Sequence, residues 1–157
     1  MACPYFIPTE PHERELWPHR YRLSLGDGFA GRCGAQAAET CCDDETLRSH
    51  CNMGYANIEY AECVHLPAER AFDAVRFQVR RQGSTSGLTI QDSTILLVQF
   101  ACEREHRPAL SGELRYDASL KTWLDRPDAR LVWLAEAAVL AWVSRHNDGE
   151  ESAIASD

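Results

Sequence analysis

Hydrophobic and polar positions alternate most cleanly in the middle of the chain. Val75, Phe77 and Val79 interleave with Arg76, Gln78 and Arg80, the period-two pattern of a strand that buries one face. Residues 95–103 predict a second strand and 110–116 a third. Residues 120–124 predict a short fourth, after the turn signal Asp117-Ala118-Ser119. Strands this short and closely spaced imply an antiparallel meander. The stretch 82–87, QGSTSG, reads as a flexible turn.

After residue 125 the period changes to that of a helix. Asp125-Arg126-Pro127-Asp128 is a start signal with proline near the first turn. The spacing predicts a helix over 129–145. Leu131, Leu134, Ala135, Ala138 and Trp142 form one stripe, which Trp133, Val139, Leu140 and Val143 widen. A helix this apolar is expected to cover the sheet, or to lie between the sheet and a partner. Residues 147–157 are polar and acidic, the composition of a disordered tail.

The first seventy residues carry weaker periodicity. Pro4, Pro8, Pro11 and Pro18 exclude a long helix over 1–20, yet Tyr5, Phe6, Ile7 and Trp17 are strongly apolar. The segment is expected to wrap the core as an ordered arm. Residues 23–34, LSLGDGFAGRCG, form a glycine-punctuated loop in which Gly31 and Gly34 bracket Cys33. Asp43 and Asp44 supply an N-cap and favourable charge for a helix of about ten residues over 45–54. On it Leu47, Cys51 and Tyr55 share the inward stripe. A second helical piece is expected over 55–62, ending before Pro67.

The fold class implied is α+β: a small antiparallel sheet of three or four strands, a long C-terminal helix, and a cysteine-rich N-terminal layer of loops and a short helix. The chain of 157 residues fits a single domain over 1–146, with the cysteine-rich layer over 1–70 and the sheet and helix over 71–146. A chain of this size buries roughly two-thirds of its unfolded surface, so cysteines are not needed to rescue a small core.

The net charge of −8 opposes nucleic acid or an anionic membrane as the default partner. Part of it comes from Asp148, Glu150, Glu151 and Asp157 in the tail. No signal peptide is legible over 1–20, and the longest apolar run, 131–143, is short of the ~20 residues that span a bilayer. The expected compartment is the cytoplasm, where thiols stay reduced and clustered cysteines imply metal or redox chemistry.

Of the 7 cysteines, Cys33, Cys41, Cys42, Cys51 and Cys63 crowd one segment and Cys3 opens the chain. Thiolates are soft anionic donors for zinc and iron. The close C-x₂₋₄-C pairs usual in structural zinc sites are absent, whereas a [4Fe–4S] cluster accepts single cysteines from separate segments. The expected ligands are Cys3, Cys33, Cys51 and Cys63, with Cys41 or Cys42 the nearest replacement. Adjacent Cys41 and Cys42 are not expected to reach one centre together, and Cys102, in register with Val98 and Phe100, reads as a buried strand residue. Gly28 and Gly31 are the expected close-approach positions, where backbone amides would border the cofactor.

The leading functional expectation is a cluster-binding protein in electron transfer, redox sensing or structural stapling, served by a redox partner protein. The alternatives are a zinc-stapled adaptor, with His50 or His65 able to replace a thiolate, and a metal-free cysteine-dependent enzyme. Glu103 to His106 form the densest polar cluster outside the cysteines, either an acid–base site or a solvated strand end.

Overall fold

A computed structural model describes residues 1–13, 15, 17, 19, 22–35, 40–53, 63–86, 89–91 and 94–154. In chain order its strands are β1 (Phe6–Pro11), β2 (Phe29–Cys33), β3 (Thr40–Cys41), β4 (Ala74–Arg81), β5 (Ser84–Ser86), β6 (Thr89–Gln91), β7 (Ile95–Arg104), β8 (Arg107–Asp117) and β9 (Thr122–Trp123). A short α1 (Asp44–Thr46) leads into a π-turn (Leu47–Cys51), and α2 (Val132–Ile154) closes the chain.

The alternation over 75–80 becomes β4, one edge of an antiparallel sheet in the order β4-β7-β8-β9. Register partners share a face, so the pairs Val75↔Cys102, Phe77↔Phe100 and Val79↔Val98 stack one apolar surface across two strands. Phe100 lies opposite Gly112 of β8, and its ring fills the space that a side chain there would take. The opposite face is polar, with Glu113 accepting from Gln99 at 2.9 Å and Arg80 at 3.3 Å. The apolar face receives α2, which buries Leu134, Ala138, Val139 and Trp142, with Leu131 just before it. Each fully buried large side chain contributes about 1.5–3 kcal/mol, and the core continues from this seam into the N-terminal layer through Phe6, Leu25, Phe29 and Leu47. The fold class is α+β.

Element ends differ from expectation for local reasons. Helix α2 begins at Val132 because Asp128 organises the turn before it. The Asp128 carbonyl accepts from Leu131 and Val132 at 2.9 and 3.1 Å, and its carboxylate accepts the Arg130 amide at 2.9 Å. The helix backbone also continues past Arg145 to Ile154, into the acidic segment expected to be disordered, where Glu150, Glu151 and Ala153 are good helix formers. The expected turn at 82–87 contains β5, which pairs with β6 as a small hairpin. The helical piece expected over 55–62 lies outside the described residues. Among the described residues, no helix is long and apolar enough to cross a membrane.

The N-terminal layer is more regular than its prolines and glycines imply. The arm is β1 and the glycine loop is β2; together with β3 they form a second antiparallel sheet in the order β1-β2-β3. Pro8 and Pro11 are tolerated because β1 is an edge strand, where a missing amide costs no central ladder bond. The register slips between Pro8 and Glu10, a bulge that bends the arm over the core. Gly31, opposite Pro8, is required by close approach: a side chain there would enter the Ile7 carbonyl and the Phe6 ring.

Two clamps tie this layer to the rest. Ala2 bridges to Val75 in both directions, its amide to the Val75 carbonyl at 2.7 Å and the Val75 amide to its carbonyl at 2.9 Å. The bridge covers part of the free edge of β4. Asn52, only 1% exposed, joins β2 to the π-turn. Its Oδ1 accepts the Phe29 amide at 2.9 Å, and its Nδ2 donates to the Phe29 and Leu47 carbonyls at 3.0 and 3.1 Å.

Candidate cysteine site

Three of the clamped segments carry a thiol, and a fourth thiol, Cys63, lies in a separate turn. Cys3 follows the Ala2–Val75 bridge, and its amide donates to the Cys51 carbonyl at 2.9 Å. Pro4 offers no amide beside the sulfur, but the amides of Tyr5 and Phe6 are directed at Cys3 Sγ and lower its pKa against the larger effect of burial. Cys33 ends β2. Cys51 closes the π-turn, whose amide from Asn52 reaches back to the Leu47 carbonyl at 3.1 Å. A π-turn of this kind displaces one residue out of α-helical spacing and is frequent at functional sites. Here it turns Leu47, Ser49 and Cys51 inward together. Cys63 opens a turn in which its carbonyl accepts the Leu66 amide at 3.0 Å.

These residues lie close enough to perturb one another's charge. Burial first, then electrostatic interaction with neighbouring Cys63 and Cys33, pushes the Cys3 thiol up from 9.0 to about 12. Burial also raises Cys51 strongly, reinforced by Cys42, Cys3 and Cys33. Cys42 is raised by burial and by Cys33 and Cys63. Five sulfurs from separate segments thus share one electrostatic neighbourhood: Cys3, Cys33, Cys42, Cys51 and Cys63. Burial and mutual repulsion keep the thiols of Cys3, Cys42 and Cys51 protonated at neutral pH. A cation among them would favour the thiolate forms.

The fifth member is the one the sequence left undecided. Cys41 is in β3 and exposed, while Cys42 is half-buried, with the two side chains on opposite sides as strand geometry requires. Cys42 Sγ lies 3.6 Å from Cys51 Sγ, and its amide reaches the Gly31 carbonyl at 3.4 Å. Cys102 is buried in the seam between sheet and helix, raised to about 11 by burial, as expected for a core residue. Among the described residues no group of three or more His, Cys, Asp or Glu is drawn together tightly enough to hold a single metal ion.

The other expected features resolve into structure. Gly31 borders the cysteines through its carbonyl, but Gly28 packs under the Trp17 ring and accepts the His12 amide at 2.9 Å. His50 is half-buried and His65 exposed. The polar stretch at 103–106 is the tight turn between β7 and β8, with Glu105 and His106 both at positive φ, 51° and 59°, the conformation that suits a two-residue hairpin. The turn is held by Asp73, 6% exposed, whose carboxylate accepts from the Glu105 amide and from Arg70 Nε. Glu105 and His106 themselves are exposed. No protein-family model matches this chain, and neither the curated proteins nor the solved structures provide a match.

Proposed function

We propose that the protein binds a [4Fe–4S] cluster through Cys3, Cys33, Cys51 and Cys63, and that the cluster serves one-electron transfer to a redox partner protein or staples the N-terminal layer. The observation that carries this reading is the shared neighbourhood of thiols from chain segments far apart in sequence. Each thiolate of a cubane binds a different iron, so its ligands need not converge within one ion's coordination shell. Thiols that reach one neighbourhood from separate segments suit that requirement. The bound group would supply the electron chemistry. The chain's own contribution would be the amides of Tyr5 and Phe6 at the Cys3 sulfur and the burial of Cys51, both of which tune potentials. The reduced thiols suit the cytoplasm, and the charge of −8 disfavours nucleic acid.

A second reading has one specific support. The 3.6 Å between Cys42 and Cys51 is close to the roughly 3.8 Å edge of a tetrahedron with Zn–S near 2.3 Å. On that reading the two are neighbouring ligands of a structural zinc. Anaerobic purification followed by iron, sulfide and zinc determination separates the two. About four irons and four sulfides per chain, with absorbance near 400 nm, support the cluster. Colourless protein with one zinc selects the alternative. Protein that takes up neither metal overturns both and leaves a metal-free thiol enzyme, tested by single-site labelling with a thiol reagent.

A further inference from the structure

A cubane takes four thiolates, and five cysteines share this site, so one is surplus. Cys42 is that one, and it lies against a proposed ligand: its sulfur is 3.6 Å from that of Cys51. A disulfide requires about 2.05 Å, so the two sulfurs must close by about 1.5 Å, within the reach of a side-chain rotation. Both residues sit beside short elements. Cys42 follows the two-residue β3, and Cys51 ends a single π-turn, so neither is locked in the centre of a long ladder. Cys42 is half-buried while Cys51 is buried, which makes Cys42 the entry point for a reagent from solvent and Cys51 the resolving thiol behind it.

We propose that Cys42 and Cys51 are a site of reversible thiol–disulfide exchange, and that closing this disulfide withdraws Cys51 from the ligand set and prevents metal loading. The second half rests on the proposed function above. The oxidant is a small-molecule disulfide of the glutathione class. The Cys42 thiol gives its proton to solvent as it attacks one of the reagent's sulfurs and expels one thiolate, which takes up a proton, leaving a mixed disulfide. Cys51 then attacks the Cys42 sulfur, expelling the second thiolate. The protein loses two hydrogens and the small disulfide gains them as two free thiols. A bound cluster protects Cys51 by occupying it. The disulfide and the loaded site are therefore mutually exclusive states.

The test uses the full chain, freed of metal and incubated with oxidised glutathione. Remaining thiols are then alkylated in denaturant, and the links mapped by digestion and tandem mass spectrometry. The expected result is a Cys42–Cys51 link, a loss of about 2 Da from the intact chain, and alkylation of Cys41 and Cys102. A different pairing, or glutathione adducts that never resolve, overturns the site. In parallel, iron and sulfide uptake is measured for parent and Cys42→Ser, each before and after oxidation. The oxidised parent is expected to lose uptake and to regain it with dithiothreitol, while Cys42→Ser loads equally in both states. Equal loss in the oxidised variant overturns the switch. Cys42→Ala serves the same comparison if the serine variant fails to fold. If the reduced parent takes up no metal while the link still forms, the cluster reading and the loading half of this proposal fall, and the exchange site stands.

Discussion

Replacing Asn52 with alanine is expected to destabilise the protein by about 3 kcal/mol. The side chain is 1% exposed and satisfies both backbone groups of Phe29. Phe29 is paired across β1–β2 with Pro11, and proline has no amide to give, so the Phe29 carbonyl has no strand partner to replace Asn52. The Leu47 carbonyl is less exposed to the loss, because it keeps the Asn52 backbone amide at 3.1 Å. Two orphaned buried groups at about 1–3 kcal/mol each give a range of about 2–6 kcal/mol, with partial relaxation favouring the lower half. For a chain of this size that is a fall in Tm of roughly 6–12 °C at about 2–4 °C per kcal/mol. The assay is thermal and urea unfolding by circular dichroism, with metal removed so that binding does not contribute to stability. Asn52→Asp sharpens it: the carboxylate can still accept from Phe29, but it sets an oxygen against two carbonyls, so it should fare no better than alanine. An alanine variant within about 0.5 kcal/mol of the parent, the scatter of an ordinary surface substitution, would refute the clamp.

On the cluster reading proposed above, Cys3→Ser and Cys51→Ser are each expected to abolish iron uptake, while Cys102→Ser retains it; iron and sulfide assays decide. The metal-free protein is expected to lose stability in alkali. Cys3 titrates at about 12 when folded against 9.0 for an unperturbed thiol, with Cys51 and Cys42 shifted the same way. The folded chain therefore holds more protons than the unfolded one above pH 9.0, so stability is full below that value and falls as pH rises through the window to about 12. Urea midpoints across this range that stay flat would contradict it. Asp73 behaves oppositely. Burial raises its pKa, but the Glu105 amide and Arg70 together outweigh burial and leave it below 3.8, so its contribution is present above that pH and lost as pH falls. Asp73→Asn should cost about 1–3 kcal/mol at neutral pH and flatten the acid limb of the stability profile. Gly31→Ala should cost about 1–3 kcal/mol through overpacking against Phe6 and the Ile7 carbonyl; an unchanged Tm would show that the arm is not pressed onto β2.

The sheet and its covering helix were legible because burial there follows a simple period. Val75, Phe77 and Val79 are turned to the core side and Arg76, Gln78 and Arg80 outward, and the helix stripe from Leu131 to Trp142 is buried as spaced. The β1–β2 sheet was not, because the signals that mark loops, Pro8, Pro11 and Gly31, here mark an edge strand with a bulge and a close backbone approach. A helical segment after Asp43 and Asp44 was legible, but it ends at Cys51 as three α-helical residues and a π-turn, and the π-turn was not. It depends on Asn52 bonding to Phe29 twenty-three residues away, and no local pattern encodes that. At the cysteines, divergence of Cys41 from Cys42 followed from adjacency alone. Which of the two faces Cys51 depended on the register of β3 on β2, Arg32 opposite Cys41, and that is a tertiary fact.

The bridge between Ala2 and Val75 also sets an order of events during synthesis. The thiols at 3, 33, 51 and 63 all leave the ribosome before residue 75, the partner that fixes Cys3 in place. At about 5–20 residues per second, the interval between Cys3 and Val75 is roughly 4–14 seconds. During that time the reactive sulfurs emerge without the strand that positions the first of them. A cluster of the kind proposed would have to meet a finished β4, or else hold the nascent thiols until it arrives.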